Sequence, residues 1–327
     1  MKTPRYMVQG LLVMALGLSS CSDHNQPGVT PDFPERINFT SARLYPEGIE
    51  YSTQLRRFLV SSITQGKVGT VDENGQYADL LTDNRLISAI GMEISNGRLY
   101  VANGDQGVSV KSTPQTRLKT AGLFVFNLET RQLEQWADLA ALLPDNQHFG
   151  NDVAVDAQGN AYVTDSFSPV VYKVTSAGQP SILATDPRFG GAGFNLNGIV
   201  YHPNGYLIVA KSSEGKLFKI DLMNGNAISE VTGFPALTGA DGMVWANGDL
   251  YVVNGRTRVT QLRSSDNWST ATVIKTDQTG YADATTNTAV NGQVYTLNAR
   301  ISEVGAAAQA NNPNLLQANE YSIQRFR

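Results

Sequence analysis

The chain has 327 residues, with 25 lysine and arginine against 29 aspartate and glutamate side chains and a formal net charge of -4. That balance argues against a nucleic-acid partner, which needs clustered basic charge, while 41% hydrophobic and 17% charged residues are typical of a globular protein with a sizeable core. One cysteine and 3 histidines exclude a disulfide framework and a cysteine-histidine zinc site, so any metal would be held by oxygen.

The N-terminus has the features of an export signal. Lys2 and Arg5 precede an apolar run from Met7 to Leu18 that is too short to span a bilayer. The run ends in the sequence LSSC, which resembles a bacterial lipobox and implies cleavage before Cys21 and lipidation of that residue. An ordinary signal peptide with a coincidental cysteine is the alternative.

The expected domain organisation follows from this signal. Residues 1–20 are predicted to be a lipoprotein signal peptide, 21–34 a lipidated tether and 35–327 the folded domain. We therefore expect a protein on the bacterial cell envelope, at the outer membrane or the periplasmic face, that contacts the membrane only through its lipid anchor.

One phrase recurs along the rest of the chain. It is a turn dipeptide, usually Asn-Gly, followed by a short apolar strand centred on tyrosine or leucine. The centres are Leu59, Tyr100, Tyr162, Leu207, Tyr251 and Tyr295. They follow one another at steps of 41, 62, 45, 44 and 44 residues, which is the period of a propeller blade with one insertion, mainly at 104–120.

Each copy also has the strand order of a blade. One strand precedes the hairpin turn and two alternating strands follow the central one, so that four antiparallel strands succeed each other. The last copy ends after the strand at 321–326, and the segment at 36–39 is expected to supply its missing outer strand. We predict an all-β six-bladed propeller of four-stranded antiparallel blades closed by an N-terminal strand, with a short helix near 138–143.

Four copies place an oxygen-bearing side chain at the start of their first strand. These residues, the quartet below, are Glu47, Asn151, Asn197 and Asp241. First strands line the central channel of a propeller, so the four should meet at one face. Two carboxylates and two amides offer hard oxygen ligands that suit Ca²⁺, and we predict one such ion in the channel.

A simpler interpretation of two of these positions is a turn. Asn197-Gly198 and Asp241-Gly242 are common turn dipeptides. Each copy, however, already has its own hairpin turn downstream, so these pairs exceed the turns that the fold needs.

The phrases around the quartet resemble a known family. Pro46-Glu47-Gly48, the stretch at 151–160, Asn197-Gly198-Ile199 and Asp241-Gly242-Met243 are similar to the senescence marker protein/gluconolactonase/luciferin-regenerating enzyme family over most of the chain after Phe33. The resemblance implies a six-bladed propeller with Ca²⁺ held by the quartet. The quartet is also similar to that of diisopropyl fluorophosphatase, a phosphotriesterase relative.

The resemblance also bears on the substrate. Lactonases of the family have an arginine two residues before the position that matches Asn151, and it recognises the sugar acid. This chain has Phe149 there, which favours a less polar substrate in contact with Phe149.

Two residues are candidates for catalysis. By resemblance, Asp241 is the carboxylate that attacks the substrate or activates a water, with a purely ligating role as the alternative. His148 stands three residues before Asn151 and is a candidate general base, or else an ordinary solvated loop histidine.

A second ring is expected from strand direction. Second strands run antiparallel to first strands, so their far ends return to the face that carries the quartet. These ends are Asn103, Asp165, Lys211, Asn254 and Asn298. We expect them in the wall of a substrate pocket, unless they are merely polar residues that end strands.

Two classes of function remain open. The first is a Ca²⁺-dependent hydrolase that cleaves a small-molecule lactone or related ester, with phosphotriesters as a side activity. The second is a non-catalytic surface propeller that binds a protein or glycan partner and uses Ca²⁺ structurally, since propellers host both.

Overall fold

The computed structural model describes residues 33–327 together with Met1, Lys2 and Pro4. Cys21, the rest of the predicted signal peptide and most of the tether therefore lie outside the described residues. Phe33 is buried, and its ring makes edge contacts with Phe58 and Tyr295. Phe33, which the sequence places in the tether, thus packs with the folded domain.

Three sheets of four antiparallel strands each come from a continuous stretch of chain. The first comprises β2 (Ile49–Ser52), β3 (Arg57–Ser62), β4 (Lys67–Val71) and β5 (Tyr77–Thr82). The second comprises β14 (Leu196–His202), β15 (Tyr206–Lys211), β16 (Lys216–Asp221) and β17 (Ala227–Val231). The third comprises β18 (Met243–Ala246), β19 (Asp249–Asn254), β20 (Arg258–Arg263) and β21 (Thr272–Asp277).

A larger sheet of eight strands contains two antiparallel sets of four. One set is β6 (Ser88–Ser95), β7 (Arg98–Gly104), β8 (Lys119–Asn127) and β9 (Leu133–Asp138). The other is β10 (His148–Val155), β11 (Ala161–Asp165), β12 (Val170–Val174) and β13 (Pro180–Thr185). A short parallel pairing between β8 and β10 joins the sets, with His148 opposite Lys119 and Phe149 opposite Thr120.

The remaining sheet brings the two ends of the fold together. It comprises β22 (Ala284–Val290), β23 (Gln293–Asn298), β24 (Glu320–Arg325) and β1 (Arg36–Thr40). Strand β1 pairs antiparallel with β24, from Arg36 opposite Gln324 to Thr40 opposite Glu320. The predicted closure by an N-terminal strand is confirmed, and it protects a sheet edge that would otherwise be open.

Local sequence explains the hairpins between first and second strands. In Asn247-Gly248 both residues have positive φ, 52° and 81°, as a type I′ turn requires. Asn291-Gly292 repeats the pattern at 51° and 75°. Apolar residues of neighbouring sheets share one buried cluster, which includes Tyr206 and Ile208 of β15 and Leu250 of β19. The result is an all-β propeller with four-stranded antiparallel blades.

Helices are short, and one of them is placed over the channel. The helix predicted near 138–143 is a 3-10 turn at Ala140–Leu142, and further 3-10 turns occupy Pro187–Phe189 and Pro313–Leu315. Helix α1 (Ile301–Gln309), between β23 and β24, was not predicted. Its buried Val304 and Ala307 belong to one apolar cluster with Tyr45, Ile63 and Phe149. Within the described part of the chain, no helix has the length and apolar character to cross a membrane.

Candidate functional site

The structure brings the four quartet residues together. Glu47, Asn151, Asn197 and Asp241 all line one cavity of about 150 Å³ at the central channel. Each comes from a different sheet or set of strands, so their common location depends on closure of the ring. The sequence expectation that they converge at one face agrees with this arrangement.

Breaks in strand pairing occur at the two asparagines of the quartet. In β10 the pairing register shifts between Gly150 and Val153, and in β14 it shifts between Leu196 and Ile199. Asn151 and Asn197 lie within these irregular segments. A bulge bends a strand and redirects its side chains, which is why strand alternation alone does not place these amides.

The glycines that follow quartet residues are packing positions and not turns. Neither Gly198 nor Gly242 has a positive φ. A Cβ on Gly198 would lie 2.2 Å from the backbone oxygen of Asp241, and one on Gly242 would lie 2.6 Å from the Cα of Thr286. These glycines therefore let the innermost strands of neighbouring sheets approach each other, and the turn interpretation is wrong.

Three oxygens of the quartet are buried without a hydrogen-bond partner. They are Oε2 of Glu47, Oδ1 of Asn151 and Oδ1 of Asp241. A buried unpaired polar atom costs about 1–3 kcal/mol, and more if it is charged. Three such acceptors on one cavity form the donor set that a hard cation takes.

A hydrogen-bond relay fixes the orientation of the Asn151 amide. Oγ of Ser166 donates to the backbone oxygen of Leu196 at 2.7 Å, so its single proton is committed. It must therefore accept from Nδ2 of Asn151, 2.8 Å away. This contact holds the nitrogen of the amide against Ser166 and leaves Oδ1 as the unpaired oxygen.

Negative charge accumulates beside the cavity. Asp152, which sequence reasoning left unassigned, is buried and accepts from the backbone N–H groups of Val153 and Ile199 at 2.9 and 3.1 Å. Burial raises the pKa of Asp152 to about 7. Burial, and then the charge of Asp152, raises the pKa of Asp241 to about 7.

Glu47 is affected by the same negative charges. Burial, followed by repulsion from Asp241 and Asp152, raises the pKa of Glu47 well above its ordinary value. Without a cation the site therefore favours protonated acids, whereas a divalent cation would favour the carboxylates.

The rest of the cavity wall is mainly apolar. Phe149 lines it as expected, and its ring lies in edge contact with that of Phe194 at 5.5 Å between centroids. Ile63, Ile90 and Ile301 are also in the wall. The polar side chains added by the structure are Gln106, Ser212 and Arg256. Loop positions such as Arg256 have no repeat signal by which the sequence could place them.

The structure contradicts the predicted role of His148. Its side chain is 1% exposed, and it does not line the cavity. Nε2 lies 2.7 Å from the backbone oxygen of Leu143 and Nδ1 lies 2.7 Å from Oδ2 of Asp165. Burial alone would lower the pKa of His148, but these two acceptors raise it. Both ring nitrogens are engaged by groups inside the fold, so His148 has no nitrogen free to take a proton from a substrate in the cavity.

The prediction that the ends of the second strands line the pocket is also wrong. None of the five predicted residues lines the central cavity: Asn103, Asp165, Lys211, Asn254 and Asn298. A second strand lies about 4.8 Å farther from the channel than the first strand to which it is bonded.

Most of these five side chains form hydrogen bonds with the backbone of neighbouring segments instead. Oδ1 of Asn103 accepts from the backbone N–H groups of Ile87 and Ser88. Nζ of Lys211 donates to the backbone oxygens of Arg188 and Gly190.

The donor set differs from a conventional metal cluster. Among the described residues, no group of three or more His, Cys, Asp or Glu side chains is arranged to hold an ion. The quartet has only two such side chains, and its other two oxygen-bearing side chains are the amides of Asn151 and Asn197.

Known proteins were compared with this chain by sequence and by structure. No family model and no curated relative matches it. The allergen Mala s 1 of Malassezia sympodialis shares 18% identity over 90% of this chain and 96% of its own, with a TM-score of 0.71. A calcium-binding protein, regucalcin, from Agrobacterium tumefaciens shares 14% identity over 87% and 95%, with a TM-score of 0.58. A putative gluconolactonase shares 14% identity over 90% and 93%, with a TM-score of 0.57. These likenesses confirm the propeller fold that the sequence resemblance implies.

Proposed function

We propose that this chain is a Ca²⁺-dependent hydrolase that cleaves a lactone or related ester in the central channel of a six-bladed propeller. The observation that carries the proposal is the convergence of three buried, unpaired oxygens, from Glu47, Asn151 and Asp241, on one cavity. The count of six treats the eight-stranded sheet as two blades, since only two parallel residue pairs join its antiparallel halves. The fold shared with regucalcin and a putative gluconolactonase supports the same proposal.

The quartet would hold the metal. Glu47 and Asp241 balance the charge of a divalent ion, and the amide oxygens of Asn151 and Asn197 add ligands without further repulsion. Asn197 also hydrogen-bonds the carboxylate of Asp241, which favours its ionised form. Hard oxygen donors of this kind favour Ca²⁺ over Zn²⁺ or Cu²⁺.

The chemistry divides between the cation and the chain. When bound, Ca²⁺ supplies Lewis-acid polarisation of a lactone carbonyl or phosphoryl oxygen. The carboxylate of Asp241 either attacks the acyl carbon or takes a proton from the attacking water. Phe149 and Phe194 contact the apolar part of the substrate and exclude bulk water. In the water route the ring C–O bond then breaks, and the proton held by Asp241 passes to the departing alkoxide. In the covalent route the alkoxide takes its proton from water, and a second water hydrolyses the Asp241 anhydride to release the acid and regenerate the carboxylate.

The test is a hydrolysis screen with lactones, aryl esters and a phosphotriester, run with Ca²⁺ and with a chelator. We expect turnover that the chelator abolishes and Ca²⁺ restores. Asp241→Asn should lower turnover by orders of magnitude, whereas Asp156→Asn, which neutralises a buried hairpin aspartate, should retain it. Turnover that survives the chelator, or full activity of Asp241→Asn, contradicts the proposal.

A second candidate is a non-catalytic propeller that binds a protein or glycan and uses Ca²⁺ to fix the channel. The observation that favours it is the engagement of His148, which leaves the described cavity wall without a histidine to act as acid or base. Ca²⁺ binding without turnover on any substrate of the screen would support this candidate.

We also propose that the protein is a lipoprotein of the bacterial cell envelope. The support is the sequence alone, since the LSSC motif and Cys21 lie outside the described residues. Metabolic labelling with a fatty-acid probe should mark the wild-type chain but not Cys21→Ser, and only the wild type should sediment with membranes. Equal labelling of the two contradicts the proposal.

A further inference from the structure

Arg256 is the cationic side chain in the cavity wall. Among the described residues that line the cavity, no other lysine or arginine occurs. Glu47 and Asp241 supply negative charge in the same wall. Arg256 therefore faces the same cavity as the two carboxylates of the quartet.

The surrounding structure holds Arg256 in place. Its backbone oxygen accepts from the N–H of Ala284 at 2.8 Å, and its Nη1 donates to Oγ of Ser302 at 3.0 Å. Ser302 lies in α1, the helix that contributes Ile301 to the same wall. A guanidinium group has five N–H donors, so the contact with Ser302 leaves several donors for a ligand.

No acidic side chain of the described part of the chain forms a salt bridge with Arg256. Eight other arginines do have such partners: Arg57, Arg85, Arg98, Arg188, Arg263, Arg300, Arg325 and Arg327. Once a divalent cation neutralises Glu47 and Asp241, the positive charge of Arg256 has no balancing charge in the cavity wall. An anionic ligand would supply it.

Aromatic rings provide the other half of the recognition surface. Phe149, Phe167 and Phe194 form a cluster with centroid separations of 4.9 to 6.5 Å. Phe194 remains 39% exposed and lines the cavity, so part of its side chain is open to a ligand.

We propose that Arg256 is a specificity-determining residue that selects substrates with an anionic group joined to an apolar body. A carboxylate or similar oxyanion pairs with the guanidinium, which is suited to bidentate contacts, while the apolar body lies against Phe149 and Phe194. The inference rests on the proposed function, since it assigns the substrate class of that same cavity.

The test compares two probes of the same shape and different charge. 3-Phenylpropanoate and its neutral amide are titrated by calorimetry into the full chain in Ca²⁺ buffer. We expect the carboxylate to bind about tenfold more tightly than the amide, because a charge-assisted hydrogen bond is about twice as strong as a neutral one.

Two variants locate that preference. Arg256→Gln should reduce the preference for the carboxylate over the amide from about tenfold to about twofold or less. Arg131→Gln is the matched control, since Arg131 is also exposed with φ near that of Arg256, 60° against 62°, but lies in the hairpin between β8 and β9. This control should keep the preference of the wild type.

Several outcomes overturn the inference. Equal affinity for the two probes, no binding of either, or an undiminished preference in Arg256→Gln would each do so. A preference that persists in Arg256→Gln but disappears with a chelator would assign the anion to the metal. None of these measurements needs turnover, so failure here is distinct from failure of the hydrolysis screen.

Discussion

Ser166→Ala is expected to weaken metal binding without removing any metal ligand. In the wild type, Oγ of Ser166 accepts from Nδ2 of Asn151 at 2.8 Å and donates to the backbone oxygen of Leu196 at 2.7 Å. Alanine removes the acceptor, so the Asn151 amide can turn its nitrogen toward the cavity. The cation would then meet a donor in place of one of its oxygen ligands.

The magnitude follows from this relay. A buried amide nitrogen left without a partner costs about 1–3 kcal/mol, and comparable losses behind other metal ligands cost about 10- to 100-fold in affinity. We therefore expect the Ca²⁺ dissociation constant of Ser166→Ala to rise about 10- to 100-fold in a calorimetric titration.

Ser168→Ala is a matched control on the same loop. Oγ of Ser168 also accepts from an asparagine amide, that of Asn146 at 3.1 Å, and donates to a backbone oxygen, that of Gln147 at 2.8 Å. Both serines are buried, so both variants should lose a similar free energy of unfolding. Only Ser166→Ala should lose Ca²⁺ affinity, and equal affinity in the two variants would refute the assigned role of Ser166.

Three further predictions concern the same face. First, because burial raises the pKa values of Asp152 and Asp241 to about 7, the metal-free fold holds more protons than the unfolded chain between about pH 4 and pH 7. Urea unfolding with a chelator should therefore show a lower free energy of unfolding at pH 8 than at pH 5, while Ca²⁺ affinity rises over that window; no change in either would contradict the assigned burial. Second, Gly198→Ala should destabilise the fold by about 1–3 kcal/mol and weaken Ca²⁺ binding, because its Cβ would meet the backbone oxygen of Asp241 at 2.2 Å. Gly305→Ala in α1, where a Cβ meets nothing within 4 Å, should leave the free energy of unfolding equal or slightly higher. A similar loss of stability in the two variants would show that close packing at Gly198 is not the cause. Third, His148→Gln should lower the melting temperature through loss of the buried pair with Asp165, yet leave the pH profile of any turnover unchanged; loss of the acidic limb, where a general base becomes protonated, would restore His148 as a base.

Repetition made much of the fold predictable from sequence. The Asn-Gly turns and the apolar strands after them mark one hairpin per repeat, and their spacing sets the size of the blade. The segment at 36–39 had to pair somewhere because the last repeat lacks a strand. Helix α1 was missed because it lies in the connection between β23 and β24, outside the repeated phrases.

The quartet was predictable for the same reason, and its neighbours were not. Equivalent positions in a closed ring must meet at one face, which placed Glu47 and Asp241 in one cavity. Spacing gives the face of the ring but not the distance from its axis, so Lys211 and Asn103 were wrongly expected at the pocket.

Two further residues depend on local irregularity and tertiary contacts. Asp152 is redirected by the register shift between Gly150 and Val153 in β10, which breaks the alternation on which sequence reasoning relies. The partners of His148 are the backbone oxygen of Leu143, Asp165, which lies 17 residues away along the chain, and the hydroxyl of Tyr172, and no local pattern reveals these contacts.

A calorimetric Ca²⁺ titration of the metal-free protein, with Asp241→Asn and Asp156→Asn in parallel, is the most direct test of the proposed metal site. We expect one site per chain in the wild type, retained in Asp156→Asn and lost or greatly weakened in Asp241→Asn. Absence of Ca²⁺ binding by the wild type, or unchanged binding by Asp241→Asn, would show that the convergent oxygens of the quartet do not form a metal site.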